Sequence, residues 1–152
     1  MNTDHTLSSS EQEILQAALK IAERRMTYGE MLVSPEHVRD YLKLSMCTQE
    51  SEVFGVIWLT AKHSVICHEI LFNGTIDGSA VYAREVVKHA LKHNAAAAFI
   101  FHNHPSGNPE PSNADKLLTA KLKEALAIVD VRLLDHFVVG ASVISFAERG
   151  YL

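Results

Sequence analysis

Residues 95–102, AAAAFIFH, form an apolar run of strand length with none of the polar–apolar alternation of a half-exposed strand. A strand of that kind is buried on both faces, so the chain must cover two sides of a sheet. Four consecutive alanines also permit a helix here. Strand is the reading carried forward, and the helix stays open as the alternative. EVFGVIWLT (52–60) and SVICHEILF (64–72) are rich in β-branched and aromatic residues, and Ala61, Lys62 and His63 between them predict an antiparallel hairpin. VRLLDHFVVG and SVISF near the end of the chain read as two further strands.

Helical periodicity fills the spaces between. EQEILQAALKIAERRM places Ile14, Leu15, Ala18, Leu19, Ala22 and Met26 on one stripe, with Ser8, Ser9 and Ser10 available as N-cap hydroxyls. Gly29 is expected to end that excursion. In LVSPEHVRDYLKLSM, Ser34 is placed to cap and Pro35 to occupy the first turn of a second helix that runs to about Met46. Asn73-Gly74 and Asp77-Gly78 break the strand pattern before the helical segment AREVVKHALKHN. From Ser112 onward Leu117, Leu118, Leu122, Ala125, Leu126 and Val129 follow an i, i+3, i+4 stripe. The order ααββαβαββ predicts a three-layer α/β/α domain with a mixed sheet. Its expected division is an N-terminal helical segment over 1–34 and the α/β domain over 35–152.

With 152 residues, 47% of them hydrophobic, the chain can bury one compact core. A formal net charge of −4 supplies no general basic field for nucleic acid. Cys47 and Cys67 form no CxxC pair, the start of the chain has no apolar signal region, and the longest apolar run is too short to span a bilayer. The expectation is a soluble protein of the reducing cytosol, with no membrane partner and an oligomeric state that the sequence leaves open.

The chemistry concentrates in HNHPSGNPEPSNAD, residues 102–115. His102 and His104 lie one residue apart at a strand end, so alternation sends both imidazoles to the same side. Asp115 falls in the first turn of the next helix, and the prolines and glycine between favour a tight return. Two histidines and a carboxylate, with a fourth position left to water, are a ligand set of catalytic zinc, which draws the pKa of bound water toward about 7. Ser112 and Asp115 also fit a helix cap, with a hydroxyl at the N-cap and an acid in the first turn. The two roles are compatible, and spacing alone leaves the metal site and the plain cap both open.

This segment is similar to the HxHPSGxxxPSxxD signature of the RadC-like branch of the JAB/MPN (JAMM) metalloproteases, and the likeness extends through SPEHVRDYL, EVFGVIWL, REVVKHALKHNAAAAF and LLDHFVVG to SFAERG. The resemblance implies a cytidine-deaminase-like fold, a Zn2+ held by His102, His104 and Asp115, and hydrolysis of a peptide or isopeptide bond. It also implies an upstream glutamate that takes the proton of the attacking water. Glu52, at the start of EVFG, stands where the family places it; Glu50, Glu69 and Glu85 are the competitors. By analogy with other zinc hydrolases, Ser112 is the expected hydrogen-bond donor to the developing oxyanion. His136, in LLDHF, is either a residue supporting the ligands or a satisfied strand-end histidine, and Ser106 and Gly107 are expected to shape the turn.

Other signals point away from competing chemistries. His89 and His93 share the i, i+4 spacing of a zincin helix, but Ala90 stands where that chemistry needs a glutamate, so both are expected on a solvated face. Zinc deamination requires HxE and PCxxC, and neither occurs. Arg84, Lys88, His89, Lys92 and His93 could form a basic strip toward phosphates. The resemblance brings with it an association with DNA repair, although the N-terminal helix-hairpin-helix segment of full-length RadC proteins is expected to be missing here, which weakens the nucleic-acid reading. A nucleic-acid-associated accessory module with a non-catalytic metal site remains the alternative reading.

Overall fold

The computed structural model describes residues 6–27, 33–74 and 80–152; Gly29 and Asp77-Gly78 lie outside these. Its elements are α1 (Ser9–Thr27), α2 (Pro35–Met46), β1 (Val53–Leu59), β2 (Val65–Asn73), α3 (Ala83–Lys92), β3 (Ala97–Asn103), α4 (Asn113–Ile128), β4 (Arg132–Val139), β5 (Val143–Ser145) and α5 (Phe146–Arg149). The strands form one mixed sheet in the order β2-β1-β3-β4-β5. β3 lies at its centre, antiparallel to β1 and parallel to β4. That position settles the alanine run: Ala97 and Ala98 are fully buried strand residues, their small side chains facing opposite helical layers.

Two apolar clusters sandwich the sheet. On one face Val53, Ile57, Phe99, Phe101 and Phe137 meet Met26 of α1 and Val38 and Leu42 of α2. On the other, Phe54, Val56, Trp58 and Ile100 meet Val86 and Ala90 of α3 and Leu122 and Leu126 of α4. Each fully buried side chain of this size contributes roughly 1.5–3 kcal/mol of transfer free energy, so neither helical layer is dispensable. The expected α/β/α architecture is the observed one.

Local expectations differ in four places. The stripe of α1 is only partly used: Ala22 and Met26 are buried, whereas Ile14 is 69% exposed, because only the C-terminal part of α1 reaches the core. Leu117 on α4 is 73% exposed for a similar reason, since Leu122 and Leu126 face the sheet. Ser34 occupies the N-cap position of α2 without a capping side-chain bond, and Ser8 is the serine that caps α1, in a reciprocal pair with Glu11. SVISF stops being strand at Ser145, whose hydroxyl accepts from Glu148 N–H at 3.2 Å and starts α5.

Gly55 sits where β1 crosses the Phe101 ring. A Cβ built there would lie 2.3 Å from Phe101 Cζ and 2.8 Å from the Glu69 carbonyl oxygen. The ring is locked in the core and the carbonyl belongs to a paired strand, so neither yields readily. Gly55→Ala is expected to destabilise the fold by about 1–3 kcal/mol, the range for overpacking. Urea unfolding checks this; an unchanged midpoint would show that the strand accommodates the methyl group.

Candidate metal centre

The site forms where β3 ends and α4 begins. His102 is the penultimate residue of β3 and only 3% exposed. His104 follows the strand, its N–H bonded to the Val139 carbonyl at 2.8 Å. The chain then returns sharply. Gly107 adopts a φ of 84° and its N–H bonds to the His104 carbonyl at 2.9 Å. The Gly107 carbonyl accepts from Ala141 N–H at 2.7 Å, and a Cβ on Gly140 would lie 2.5 Å from that oxygen. The return therefore needs glycine at 107 for its conformation and at 140 for close approach. It delivers Ser112 as the N-cap of α4, where Asp115 N–H donates to Ser112 Oγ at 3.1 Å and Ser112 N–H donates to Asp115 Oδ2 at 2.7 Å.

The cap and the histidines share the same aspartate. Asp115 Oδ1 lies 3.3 Å from His102 Nε2, and Oδ2 lies 3.4 Å from His104 Nε2. The two Nε2 atoms are 3.0 Å apart. Four-coordinate tetrahedral bonds of about 2.0–2.1 Å space their ligand atoms roughly 3.3–3.4 Å from one another. His102, His104 and Asp115 thus present one ligand atom each, all within 4.8 Å of one another, a set able to hold a cation.

The surrounding hydrogen bonds orient those lone pairs. Thr119 Oγ1 donates to the Asp115 carbonyl at 2.7 Å, so it must accept the proton of His136 Nδ1 at 2.6 Å. Complete burial, with His102 adding to it, pushes the His136 imidazole well below its ordinary value and keeps it neutral. Its Nε2 is then an acceptor and takes the proton of His102 Nδ1 at 2.8 Å. Neutral His102 is left with a bare Nε2 aimed at Asp115 and His104. His104 Nδ1 donates to the Asn108 carbonyl at 2.8 Å, which gives neutral His104 the same bare Nε2. Two such nitrogens and a carboxylate repel one another unless a proton or a cation lies between them. The titration directions follow: the Asp115 carboxylate beside His104 raises that imidazole above its usual value, against the opposing effect of burial, and nearby Glu52 adds to the rise. Burial acts to raise the Asp115 carboxyl, but its contacts with His102 and His104 outweigh that and hold it well below the usual carboxylate range.

The other carboxylates separate by position. β1 and β3 pair Phe54 with His102, and Glu52, two residues before Phe54, lies near enough for its charge to act on His104. Asn103 helps fix that end of β1: its Oδ1 accepts from Val53 N–H at 2.7 Å and its Nδ2 donates to the Ser51 carbonyl at 3.1 Å, on either side of Glu52. Glu50 is exposed and lines a groove of about 1080 Å³ that runs from Pro105 along Leu15, Ala18 and Leu44. Glu85 lies 3.3 Å from Lys88 and 3.7 Å from Arg84 at the start of α3. Glu69 is engaged elsewhere, by Trp58, His89 and His93. His89 and His93 are accordingly half-buried against a carboxylate instead of lying on the solvated face expected for them. The basic strip of α3 is divided, with Arg84 and Lys88 turned to Glu85 and both histidines turned to Glu69.

Sequence reasoning gave no role to Thr119 or Asn103 and left that of His136 open. The one available signal for His136 is a histidine among apolar residues in LLDHFVV, a polar group that burial obliges to find partners. Thr119 stands one helical turn after Asp115, a spacing that suits bonding back to its carbonyl.

A family model described as the RadC-like JAB domain matches residues 32–151. The chain belongs to the RadC-like JAB domain family. It is 54% identical over 143 residues to a UPF0758 protein of Azotobacter vinelandii, covering 91% of this chain and 64% of that one. It is also 49% identical over 142 residues to a UPF0758 protein of Vibrio cholerae serotype O1, covering 93% of this chain and 90% of the relative. The chain thus spans slightly less than two thirds of the Azotobacter protein and most of the Vibrio one. Among the described residues no helix is long and apolar enough to cross a membrane.

If the Thr119–His136–His102 chain sets the ligand's protonation, Thr119→Val should weaken metal binding by about 10–100-fold while leaving the fold intact, the usual effect of removing a partner of a metal ligand. Competition against a chelator measures it; an unchanged affinity would show that the relay does not tune His102.

Proposed function

We propose that this chain is a zinc-dependent hydrolase of amide bonds, acting on a peptide or isopeptide-linked protein. The observation that carries this reading is the convergence of His102 Nε2, His104 Nε2 and the Asp115 carboxylate, with Glu52 close enough for its charge to act on His104. These three residues would hold the zinc ion. They leave a coordination position to solvent, as in catalytic sites and unlike the closed four-ligand sets of structural zinc. Zinc bound there supplies Lewis acidity to the scissile carbonyl and makes water a stronger acid.

The remaining steps belong to the chain. Glu52 accepts the proton of the attacking water on its carboxylate and passes it to the leaving amine nitrogen. Ser112 lends its hydroxyl hydrogen to the oxygen on which negative charge develops. Its Oγ already accepts from Asp115 N–H, so the hydrogen points away from the cap. Asp115 stays ionised and keeps both histidines oriented. The groove past Pro105, with apolar walls from Leu15, Ala18 and Leu44, offers a run for an extended polypeptide beside the site. Free Cys47 and Cys67 suit the reducing cytosol.

Glu52→Gln tests the assignment. With zinc content retained, turnover of a peptide or isopeptide-linked substrate should fall by about 10²–10⁴-fold, the range contributed by a general base. An unchanged rate would remove Glu52 from the mechanism, and absence of turnover by the wild type across a panel of peptide and isopeptide substrates would count against hydrolysis itself.

A further inference from the structure

A second set of ligand-type atoms lies outside the candidate centre. The β1–β2 register slips by one residue after Phe54↔Phe72, so that Gly55 pairs with Ile70 and Val56 with Glu69. Without that slip Glu69 would face the α1–α2 layer, because a one-residue shift reverses a side chain's face. With it, Glu69 joins Val56 and Trp58 on the α3 side. There the i, i+4 pair His89 and His93 meets it. His89 Nδ1 and His93 Nε2 each lie 2.9 Å from Glu69 Oε1.

We infer that Glu69, His89 and His93 form a second cation site, suited to a divalent transition ion of the zinc, cobalt or nickel type. The three ligand atoms come from one face of a helix and the adjoining strand, and all lie within 4.8 Å of one another. Imidazole nitrogens with one carboxylate oxygen select such ions over magnesium or calcium, which prefer all-oxygen sets. Neighbouring side chains hold the three residues in place. Buried Trp58 donates its indole N–H to Glu69 Oε1 at 2.8 Å, fixing the carboxylate. Cys67 Sγ lies 3.5 Å from His93 Nδ1, the nitrogen that would carry the proton once Nε2 binds the ion. The Glu69, His89 and His93 side chains are 26%, 30% and 21% exposed, enough for solvent to complete the coordination.

This site is distinct from the one at His102. Glu69 stands level with Val56, whereas His102 stands level with Phe54 two strands away in the sheet. Two residues along and two strands across separate their backbones by about 12 Å, from the rise and spacing of a sheet. An ion at Glu69 would tie α3 to β2, an edge strand of the sheet, and so act on the fold without touching the proposed reaction.

Titration of the metal-stripped full chain with Co2+ alone tests this. The d–d absorption and binding isotherm should saturate at two equivalents per chain. His93→Gln and His89→Gln should each saturate at one, with an unchanged far-ultraviolet circular dichroism spectrum. Asp115→Asn should also lose one equivalent, but the other one, keeping the Co2+ spectrum that the histidine variants lose. Trp58→Phe, which keeps all three ligands, should weaken the second equivalent by about tenfold. Saturation of the wild type at one equivalent that Asp115→Asn abolishes would overturn the second site. So would two equivalents in both histidine variants. If Asp115→Asn leaves two equivalents while His93→Gln removes one, the second site stands and the ligand set at His102 fails.

Discussion

The hydroxyl of Thr119 can donate only once, and it donates to the carbonyl of Asp115. From that single constraint the protons of His136 and His102 fall into sequence, and the relay ends on a bare nitrogen facing an ionised aspartate. His104 reaches the same state through the Asn108 carbonyl. The site is therefore a concentration of lone pairs that the protein has made electrostatically unfavourable without a positive partner. Burial sharpens the effect, since repulsion between lone pairs is screened less away from water.

The fold supplies what that arrangement needs. A strand covered on both faces holds His102, and its pairing with Phe54 brings the start of β1, with Glu52 just before it, to the same end of the sheet. The return through Gly107 and against Gly140 brings the start of α4 back to the strand end. Asp115 can then cap its helix with the Ser112 pair and face both imidazoles with the same carboxylate. The two oxygens share the work: Oδ2 takes the Ser112 N–H and lies near His104, while Oδ1 faces His102.

Much of this was legible in the sequence because its signals are local. Apolar AAAAFIFH suggests a strand buried on both faces and SxxD a helix start, and the resemblance carried by HxHPSGxxxPSxxD joins the two into one site. What stayed hidden depends on tertiary registration. The i, i+4 spacing of His89 and His93 shows that they share a helix face, but a bulge in the β1–β2 pairing decides that Glu69 meets them. The same slip sends neighbouring His68 to the opposite layer, where it contacts Glu23 and Tyr41. The apolar stripe of α1 likewise could not reveal that only Ala22 and Met26 are covered, because coverage depends on how far α2 extends beneath it. Thr119 and His136 are distant in sequence, and nothing local foretells that one orients the other.

The central claim is that His102, His104 and Asp115 hold one cation with a solvent-facing position opposite Glu52. Anomalous scattering at the zinc edge, from crystals of the zinc-loaded chain, tests it most directly. A peak is expected bonded to His102 Nε2, His104 Nε2 and an Asp115 carboxylate oxygen, with solvent as the remaining ligand within hydrogen-bonding reach of Glu52. A fourth protein side chain on that peak, or ligation of His102 through Nδ1 with its link to His136 broken, would contradict it.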